Sequence, residues 1–387
     1  MTQAFERDGL AGRAARGRLL VFQDSPQFGG HEIMFLRIFH RMLARNMFER
    51  VRFHLPWENH RLRDALEALE APALDIAPWS FQKGSGEPYC AGFRFAYRRA
   101  VQASVRSFQP NVALLIQGRI ENCAVPMLTL PSQLKLVSYL PMAHRMREMS
   151  RSGLIGDRVR RRLYRRPDRF IVPSRAVAEQ VGRAGGQCQS VVIENVVKPP
   201  PRANRDTARA ALQLPANRRI AVFVGRLDVR QKGLDTLASA MRREAAELRH
   251  WTFLFVGEGE GSALVEALAQ IGLDVRITGW TDQPHAYIAA ADVLLMPSRW
   301  EGVPLVMLEA MTYGVPLLTS TLDVFRDYLP AESLIDYDNG SMADALERLT
   351  QPDVRARVAA HAGIRLPATE DSKLDPALDE AFLFSGR

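Results

Sequence analysis

Short apolar runs recur along the chain, with stretches of helical periodicity between them. In the first half these runs predict β-strands near residues 19–23, 112–117, 134–140, 170–173 and 191–194. In the second half they predict strands near residues 220–224, 252–256, 275–278, 293–296 and 316–319. Several runs are apolar and β-branched at successive positions, which is typical of strands buried on both faces. Strands that alternate with helices in this way predict parallel sheets with right-handed crossovers.

The pattern divides the chain into two domains. A run of prolines at residues 199–201 stiffens the chain and is typical of a linker. We therefore expect the α/β class, with one doubly wound Rossmann-like domain over residues 1–197 and a second over residues 198–365. Residues 366–387 are weakly patterned. The sequence leaves open whether they form a short helix that packs back on the first domain or a frayed tail.

Two carboxylates eight positions apart, Glu301 and Glu309, flank a glycine, a proline and an apolar run. Pro304 suits the start of a helix, and Gly314 suits the left-handed residue just after it. Because a buried strand is predicted just before, Glu301 lies in a strand-to-helix loop at the carboxyl edge of a parallel sheet, where such sheets bind ligands. The free N–H groups at the helix start suit a diphosphate.

A second loop carries two cations. The strand predicted at residues 220–224 runs into Gly225, and Arg226 and Lys232 follow before the next predicted helix. Arginine binds phosphate through a bidentate fork, and lysine binds it as a point charge. The loop therefore predicts an anion site, with an ordinary basic surface loop as the simpler alternative.

The composition is that of an ordinary globular protein. Of the 387 residues, 47% are hydrophobic and 24% are charged, and no apolar run reaches the length of about 18 residues that a membrane span needs. The first 18 residues have no apolar core, so we expect no signal peptide. The three cysteines, Cys90, Cys123 and Cys188, are widely spaced and form no metal-binding pattern. This usage fits a reducing cytosol, and we expect a cytoplasmic protein.

The net charge is unevenly distributed. Residues 1–200 contain 31 Lys and Arg against 17 Asp and Glu, a net +14, whereas residues 201–387 contain 20 against 26, a net −6. The densest segment runs from Arg145 to Arg169, with ten arginines and three acidic residues. It is either a solvated helix face or a peripheral binding surface for the anionic inner face of a membrane. A nucleic-acid-binding protein is a poor alternative, because the second half is acidic and no helix-turn-helix, zinc or aromatic–basic motif occurs.

Together the two loops resemble the family 4 retaining glycosyltransferases, whose GT-B fold has two Rossmann-like domains that face each other across a cleft. That family holds its sugar nucleotide with a Gly-Arg-Leu…Lys-Gly-x-Asp loop and a Glu-x7-Glu motif. Arg226, Lys232, Glu301 and Glu309 match these motifs position by position. The resemblance covers residues 219–330 well.

In the first domain the resemblance is thinner. Residues 28–32 look like the family's glycine loop, although His31 stands where a small residue is common. His144 follows a predicted strand and a proline, where many members carry an active-site histidine. The resemblance implies that Gly29 and Gly30 approach the diphosphate and that His144 contacts the donor sugar.

The resemblance also implies roles in the second domain. Glu309 would accept hydrogen bonds from the ribose hydroxyls, and Glu301 would position the transferred sugar and stabilise charge near the reacting centre. The catalytic candidates are therefore Glu301, His144, Arg226 and Lys232. The candidates for donor binding are Gly29, Gly30, Arg226, Lys232, Gly302, Val303, Leu305 and Glu309.

What the resemblance implies as a whole is a retaining, hexosyltransferase-type glycosyltransferase. Such an enzyme moves a sugar from a nucleotide diphosphate sugar to a hydroxyl of a glycan or polyprenyl-linked acceptor, as in cell-surface polysaccharide biosynthesis. We expect no cofactor and no metal ion, since no Asp-x-Asp run suited to a metal occurs and the two cations can stabilise the diphosphate. A GT-B sugar-nucleotide epimerase or hydrolase and a non-catalytic relative are the alternatives.

Overall fold

The computed structural model describes residues 17–149, 153–197, 204–366 and 371–383, which form two compact units. The first unit runs to Ile193 and also includes residues 371–383, and the second unit runs from Glu194 to residue 366. The predicted proline linker and most of the N-terminal segment lie outside the described residues. No described helix combines the length and the apolar character that a membrane span requires.

The first unit is built on a sheet of seven parallel strands. These are β1 (Arg18–Gln23), β2 (Arg50–His54), β3 (Leu74–Ile76), β4 (Val112–Ile116), β5 (Lys135–Tyr139), β6 (Arg169–Val172) and β7 (Ser190–Val192). Their order across the sheet is β3-β2-β1-β4-β5-β6-β7. The order reverses between β1 and β4, so the carboxyl ends of these two strands form a topological switch point.

Helices cover both faces of this sheet. They are α1 (Gly30–Ala44), α2 (His60–Glu67), α3 (Phe95–Phe108), α4 (Ala124–Thr129), α5 (Met146–Met149), α6 (Gly153–Tyr164) and α7 (Arg175–Ala184). Successive residues of β1 point to opposite faces. Leu19 and Val21 pack with α1 and α2, whereas Leu20 and Phe22 pack with α3, α4 and α7. The unit is therefore doubly wound, as the sequence predicts.

The second unit repeats this plan on five parallel strands. The strands are β8 (Arg219–Val224), β9 (Trp251–Val256), β10 (Asp274–Gly279), β11 (Val293–Met296) and β12 (Leu317–Thr319), in the order β10-β9-β8-β11-β12. The helices are α8 (Arg205–Ala211), α9 (Leu234–Arg243), α10 (Ser262–Glu266), α11 (Pro284–Ala290), α12 (Leu305–Thr312), α13 (Asp323–Tyr328), α14 (Met342–Thr350) and α15 (Pro352–Arg365). Ala221 and Phe223 of β8 pack with α9 and α14, and Ile220 and Val222 pack with α11 and α12. This unit is doubly wound as well.

The last described helix, α16 (Asp371–Phe382), belongs to the first unit. Its Leu374 and Leu378 are buried in the same core as the apolar residues of α1 and α2. Arg41 of α1 donates two hydrogen bonds to the carboxylate of Asp375, with N···O distances of 2.7 and 2.6 Å. Of the two alternatives that the sequence leaves open for the C-terminal segment, the described part is a packed helix.

Each of the ten predicted strands is present, with ends displaced by at most two residues. The sequence does not predict β2 and β3. In β2 the basic residues Arg50 and Arg52 interrupt the apolar ones, and β3 has only three residues, all half-buried. These two strands form one edge of the sheet, where full burial on both faces is not required. Their apolar pattern is correspondingly weak.

Candidate functional site

The two loops that the sequence singles out meet at the switch point of the second sheet. β8 and β11 are neighbours, and the strand order reverses between them. Residues 225–233, the cation loop, follow β8 and lead into α9. Residues 297–304, the carboxylate loop, follow β11 and lead into α12. Two helices therefore begin at the edge of the sheet where ligands of open α/β sheets bind.

A buried ion pair joins the two loops. The Nζ of Lys232 lies 2.6 Å from Oε1 of Glu301, and the hydroxyl of Ser298 donates to the same oxygen at 2.8 Å. Glu301 is only 6% exposed. A carboxylate at this depth needs such partners, because an unpaired charge in the protein interior is strongly destabilising. The structure thus brings together two of the residues predicted to form the site.

Arg226 lies on the cation loop but is more exposed, with 54% of its side chain accessible. Its guanidinium contacts Oδ2 of Asp228 at 3.2 Å and Oε1 of Gln231 at 3.3 Å. Asp228 also accepts the backbone N–H of Gln231 at 2.7 Å, which fixes the turn of the loop. The cation loop therefore presents the half-buried charge of Lys232 and the exposed charges of Arg226 and Arg230.

Gly233 allows the two loops to approach closely. It immediately precedes α9, and its φ of +66° lies in the left-handed region that favours glycine. A Cβ at this position would lie 2.1 Å from the carbonyl oxygen of Pro297 on the carboxylate loop. A side chain here would therefore force apart the two segments that carry Lys232 and Glu301.

The second carboxylate of the motif lies on α12. Glu309 is half-buried, and burial raises the pKa of its carboxyl group, while the charge of His285 opposes that shift. None of the hydrogen bonds or ion pairs among the described residues involves this carboxylate. Glu309 is therefore available as a hydrogen-bond acceptor for a ligand.

The backbone candidates lie where α12 begins. Gly302 and Val303 precede the helix, and Leu305 is its first residue. The carbonyl oxygen of Val303 accepts a hydrogen bond of 2.8 Å from the side chain of Asn195, which anchors this part of the loop. The first N–H groups of a helix have no partner within it, so they are directed to whatever lies beyond the helix start.

The glycine candidates of the first unit lie at the start of α1. Gly29 precedes the helix, and its N–H donates to Oε2 of Glu32 at 2.8 Å. Glu32 is fully buried, and its Oε1 lies 2.8 Å from Nε2 of His31 and 3.2 Å from the side-chain nitrogen of Gln23. The N–H of Gly29 is therefore used within the protein, and Gly30 is the first residue of α1.

His144 is half-buried in the loop that follows β5. It belongs to the first unit together with Gly29 and Gly30, whereas the remaining candidates belong to the second unit. The structure thus places every candidate after the carboxyl end of a strand, in one unit or the other.

Sequence reasoning missed Ser298 and Arg299, which lie three and two residues before Glu301. Ser298 contributes the second hydrogen bond to Glu301, and Arg299 contacts Asp235 at the start of α9. A serine after a buried strand is a weak signal. For Arg299 the sequence contains no signal, because its partner Asp235 lies 64 residues earlier in the chain.

Sequence reasoning also missed a buried acid in the first unit. Asp24 directly follows β1, is fully buried, and accepts hydrogen bonds from the N–H of Cys123 at 2.6 Å and from the side chain of Asn122 at 3.2 Å. Burial raises the pKa of Asp24 from 3.8 to about 7, against the opposing effect of these hydrogen bonds. An acid just after a buried strand was the only available signal.

Comparison with known sequences identifies the region that carries both loops. Residues 218–351 match the family model described as "Glycosyl transferases group 1". The chain is 31% identical over 182 residues to the D-inositol 3-phosphate glycosyltransferases of Mycobacterium bovis and Mycobacterium tuberculosis. The match covers 43% of this chain and spans 37% of the length of those relatives.

Solved structures resemble the chain over almost its whole length. Anabaena HepE in complex with UDP and glucose has a TM-score of 0.70 at 18% identity, covering 94% of this chain and 99% of that protein. Sucrose-phosphate synthase from Thermosynechococcus elongatus has a TM-score of 0.70 at 18% identity, covering 95% of this chain and 98% of that protein. WaaG, a glycosyltransferase involved in lipopolysaccharide biosynthesis, has a TM-score of 0.65 at 17% identity, covering 94% of this chain and 99% of that protein. The predicted fold class, two doubly wound Rossmann-like domains of the GT-B type, is confirmed.

The raised pKa of Asp24 predicts how stability depends on pH. Between about pH 4 and pH 7 the folded protein keeps a proton on Asp24 that the unfolded chain has lost, so this group lowers the free energy of unfolding as pH rises. Asp24→Asn removes that dependence. In urea unfolding, we expect the stability of the variant relative to wild type to rise across this range and to level off above about pH 7.

Asp375→Asn is the control for this prediction. The hydrogen bonds from Arg41 hold the pKa of Asp375 below its ordinary value, so its contribution changes only at more acidic pH. The difference between that variant and wild type is therefore flat over the same range. A flat difference for Asp24→Asn would show that Asp24 does not carry a proton in the folded protein near neutral pH.

Proposed function

We propose that the protein is a retaining glycosyltransferase that moves a sugar from a nucleotide diphosphate sugar to an acceptor hydroxyl without a metal ion. The observation that carries this proposal is the Lys232–Glu301 ion pair at the switch point of the second sheet, where α9 and α12 begin. The match of residues 218–351 to the group 1 glycosyltransferases supports it. The relatives that match 43% of the chain, which are D-inositol 3-phosphate glycosyltransferases, support it as well.

The main physical problem in glycosyl transfer is the charge that develops on the leaving diphosphate. Lys232 and Arg226 supply two positive charges within one loop, and the helix starts add N–H donors and the positive ends of two dipoles. Fixed charges aimed at a developing anion stabilise the transition state without reorganisation. These groups can do what a metal ion does in other transferases.

In this proposal the diphosphate displaces Glu301 from Lys232. The Nζ of Lys232 donates to Oε1 of Glu301 at 2.6 Å in the structure. When a phosphate oxygen takes the lysine, Glu301 keeps the hydroxyl of Ser298 and gains an open acceptor site. That site suits a hydroxyl of the transferred sugar, because a carboxylate accepts hydrogen bonds from diols. Donor binding and the loss of the contact between Glu301 and Lys232 then occur together.

The remaining candidates have supporting roles in the proposal. Glu309 accepts from the ribose hydroxyls, and the N–H groups of Gly302, Val303 and Leu305 contact phosphate or sugar oxygens. For Gly29, Gly30 and His144, the contacts with the diphosphate and the donor sugar that the resemblance implies stay predictions. The proton of the acceptor hydroxyl passes to the donor phosphate on the same face as the leaving group, which retains configuration.

The acceptor is proposed to be a glycan or a lipid-linked saccharide. HepE is described with UDP and UDP-glucose, and WaaG is described as taking part in lipopolysaccharide biosynthesis. These descriptions favour a UDP-sugar donor and a cell-surface product for this chain. Sugar-nucleotide epimerisation or hydrolysis and a non-catalytic relative are the alternatives, and analysis of the products separates them.

Nucleotide binding is the first test. We expect one of UDP, GDP and ADP to raise the unfolding temperature with or without magnesium, since a ligand at a hundred times its dissociation constant stabilises a protein by about 2.7 kcal/mol. Lys232→Ala should abolish this shift, and both Lys232→Ala and Arg226→Ala should lower transfer about 10²–10³-fold. No shift with any of the three nucleotides, or near-normal activity in both variants, would contradict the proposal.

Glu301→Gln tests the exchange of partners at Lys232. The variant keeps the shape of the side chain but removes the anion that competes with the diphosphate. We expect calorimetry to show nucleotide diphosphate binding that is about tenfold tighter, or about 1.4 kcal/mol, together with much slower transfer. Glu347→Gln is the matched control, because Glu347 pairs with Arg219 at the amino end of β8. Unchanged affinity in Glu301→Gln would rule out the exchange.

We also propose that the first unit binds an anionic membrane surface through the segment from Arg145 to Arg169. On α6, the side chains of Arg158, Arg161 and Arg162 are exposed. Two exposed residues with apolar surface lie near them, Ile155 on the same helix and Tyr89, whose hydroxyl lies close to Gly156. Basic residues together with exposed aromatic and aliphatic groups favour the interface of an anionic bilayer.

Vesicle flotation tests this location. At low salt, we expect binding to vesicles with anionic lipid but not to neutral ones, with loss of binding as salt rises. Replacing Arg158 and Arg162 by Gln should weaken binding about tenfold or more, at about 1 kcal/mol per charge. The same change at the exposed Arg242 and Arg348 of the second unit should have little effect. Equal binding to neutral vesicles, or no binding at all, would contradict the proposal.

A further inference from the structure

We infer that Arg299 is a positioning residue that holds Lys232 against Glu301 by tying the carboxylate loop to both sides of the cation loop. The inference rests on the proposed function, because it concerns the same site. Arg299 lies two residues before Glu301, and none of its contacts involves the predicted catalytic or binding residues.

The side chain of Arg299 is hydrogen-bonded to the start of α9. Its two terminal nitrogens donate to the two carboxylate oxygens of Asp235 at 2.7 and 2.8 Å. One of them also donates to the hydroxyl of Thr236 at 2.6 Å. A bidentate arginine–carboxylate pair fixes orientation as well as distance, which a lysine in the same place cannot do.

Arg299 also holds the cation loop on the other side of Lys232. Its backbone N–H donates to the carbonyl oxygen of Gln231 at 2.9 Å, and its guanidinium donates to the carbonyl oxygen of Arg230 at 3.2 Å. Lys232 therefore lies between two points of attachment, one at Gln231 and one at Asp235. The same residue leads directly into Trp300 and Glu301.

The electrostatics of the pair favour a permanent contact. Hydrogen bonds with Asp235 raise the pKa of Arg299. Partial burial acts to raise the pKa of Asp235, but Arg299 outweighs it and holds the pKa of that carboxyl group below its usual value. Both groups therefore stay charged across the physiological range. Asp235 also lies in the first turn of α9, where a negative charge is favourable.

Global stability is a poor explanation for this arrangement. The side chains of Arg299 and Asp235 are 38% and 45% exposed, and exposed ion pairs contribute little to the stability of a fold. What the contacts do is restrict two loops that carry the ion pair of the site. Groups that are fixed before the ligand arrives need no ordering when it binds, so binding and transition-state stabilisation are stronger.

The experiment compares Arg299→Ala and Arg299→Lys with Arg357→Ala. Arg357 makes an exposed pair with Asp353 on α15, at 2.9 Å, and serves as the matched control. We expect Arg299→Ala to weaken nucleotide diphosphate binding and to lower kcat/KM, each about tenfold to a hundredfold, with only a small change in unfolding temperature. Arg299→Lys should recover part of the loss, and Arg357→Ala should behave as wild type.

A double-mutant cycle separates positioning from a general structural effect. If Arg299 acts through Lys232, its removal should lower kcat/KM far less in a Lys232→Ala background, where residual transfer is still measurable, than in wild type. Additive losses would overturn the inference. So would a loss in Arg357→Ala as large as that in Arg299→Ala, or unchanged binding in Arg299→Ala.

A third measurement needs no nucleotide. Trace acylation with acetic anhydride, read by mass spectrometry, reports the reactivity of Lys232 relative to Lys135 of the first unit. In Arg299→Ala we expect Lys232 to react several-fold faster, because its amine is less firmly held by Glu301. Unchanged reactivity would overturn the inference. Faster reaction in a protein that binds none of the nucleotides would support the positioning role and refute only the proposed function.

Discussion

The buried charge of Glu301 is the constraint on which the site of the second unit depends. A carboxylate that is 6% exposed must have a cation close by, and Lys232 supplies it across the gap between two loops. That pairing requires the loops to lie almost in contact, which Gly233 permits where any other residue would collide with Pro297. Buried ion pairs add little stability over apolar packing, so this pair is a weak source of stability for the fold.

The two units share a reversal of strand order, but they differ in the groups that balance a buried carboxylate near it. Each sheet reverses its strand order once, and in each a carboxylate is buried beyond the switch point. In the second unit that carboxylate is paired with Lys232. In the first unit Glu32 is held by the N–H of Gly29 and the amide of Gln23, together with His31. The buried carboxylate is therefore balanced by a cation in the second unit and mainly by hydrogen-bond donors in the first.

The sequence predicts the elements of the fold far better than the contacts of the site. Strands buried on both faces produce continuous apolar runs, so ten of them could be located, whereas β2 and β3 at the sheet edge carry no such run. The residues of both loops could be named from their spacing and from the resemblance. Their contacts could not, because Arg299 and Asp235 are 64 positions apart and their meeting depends on how β8 and β11 pair. The burial of Asp24 could not be predicted for a related reason, because only tertiary packing decides whether a polar residue after a strand is buried.

The helix α16 belongs to the first unit but is synthesised long after the rest of that unit. Its buried residues complete the core of the first unit, although about 180 residues of chain separate it from the last strand of that unit. The second unit, by contrast, is continuous. At ribosomal speeds of about 5–20 residues per second, the first unit waits roughly 10–40 s for its final helix, while the second can fold as it emerges. For this time the nascent first unit therefore lacks the side chains of Leu374 and Leu378 that complete its core.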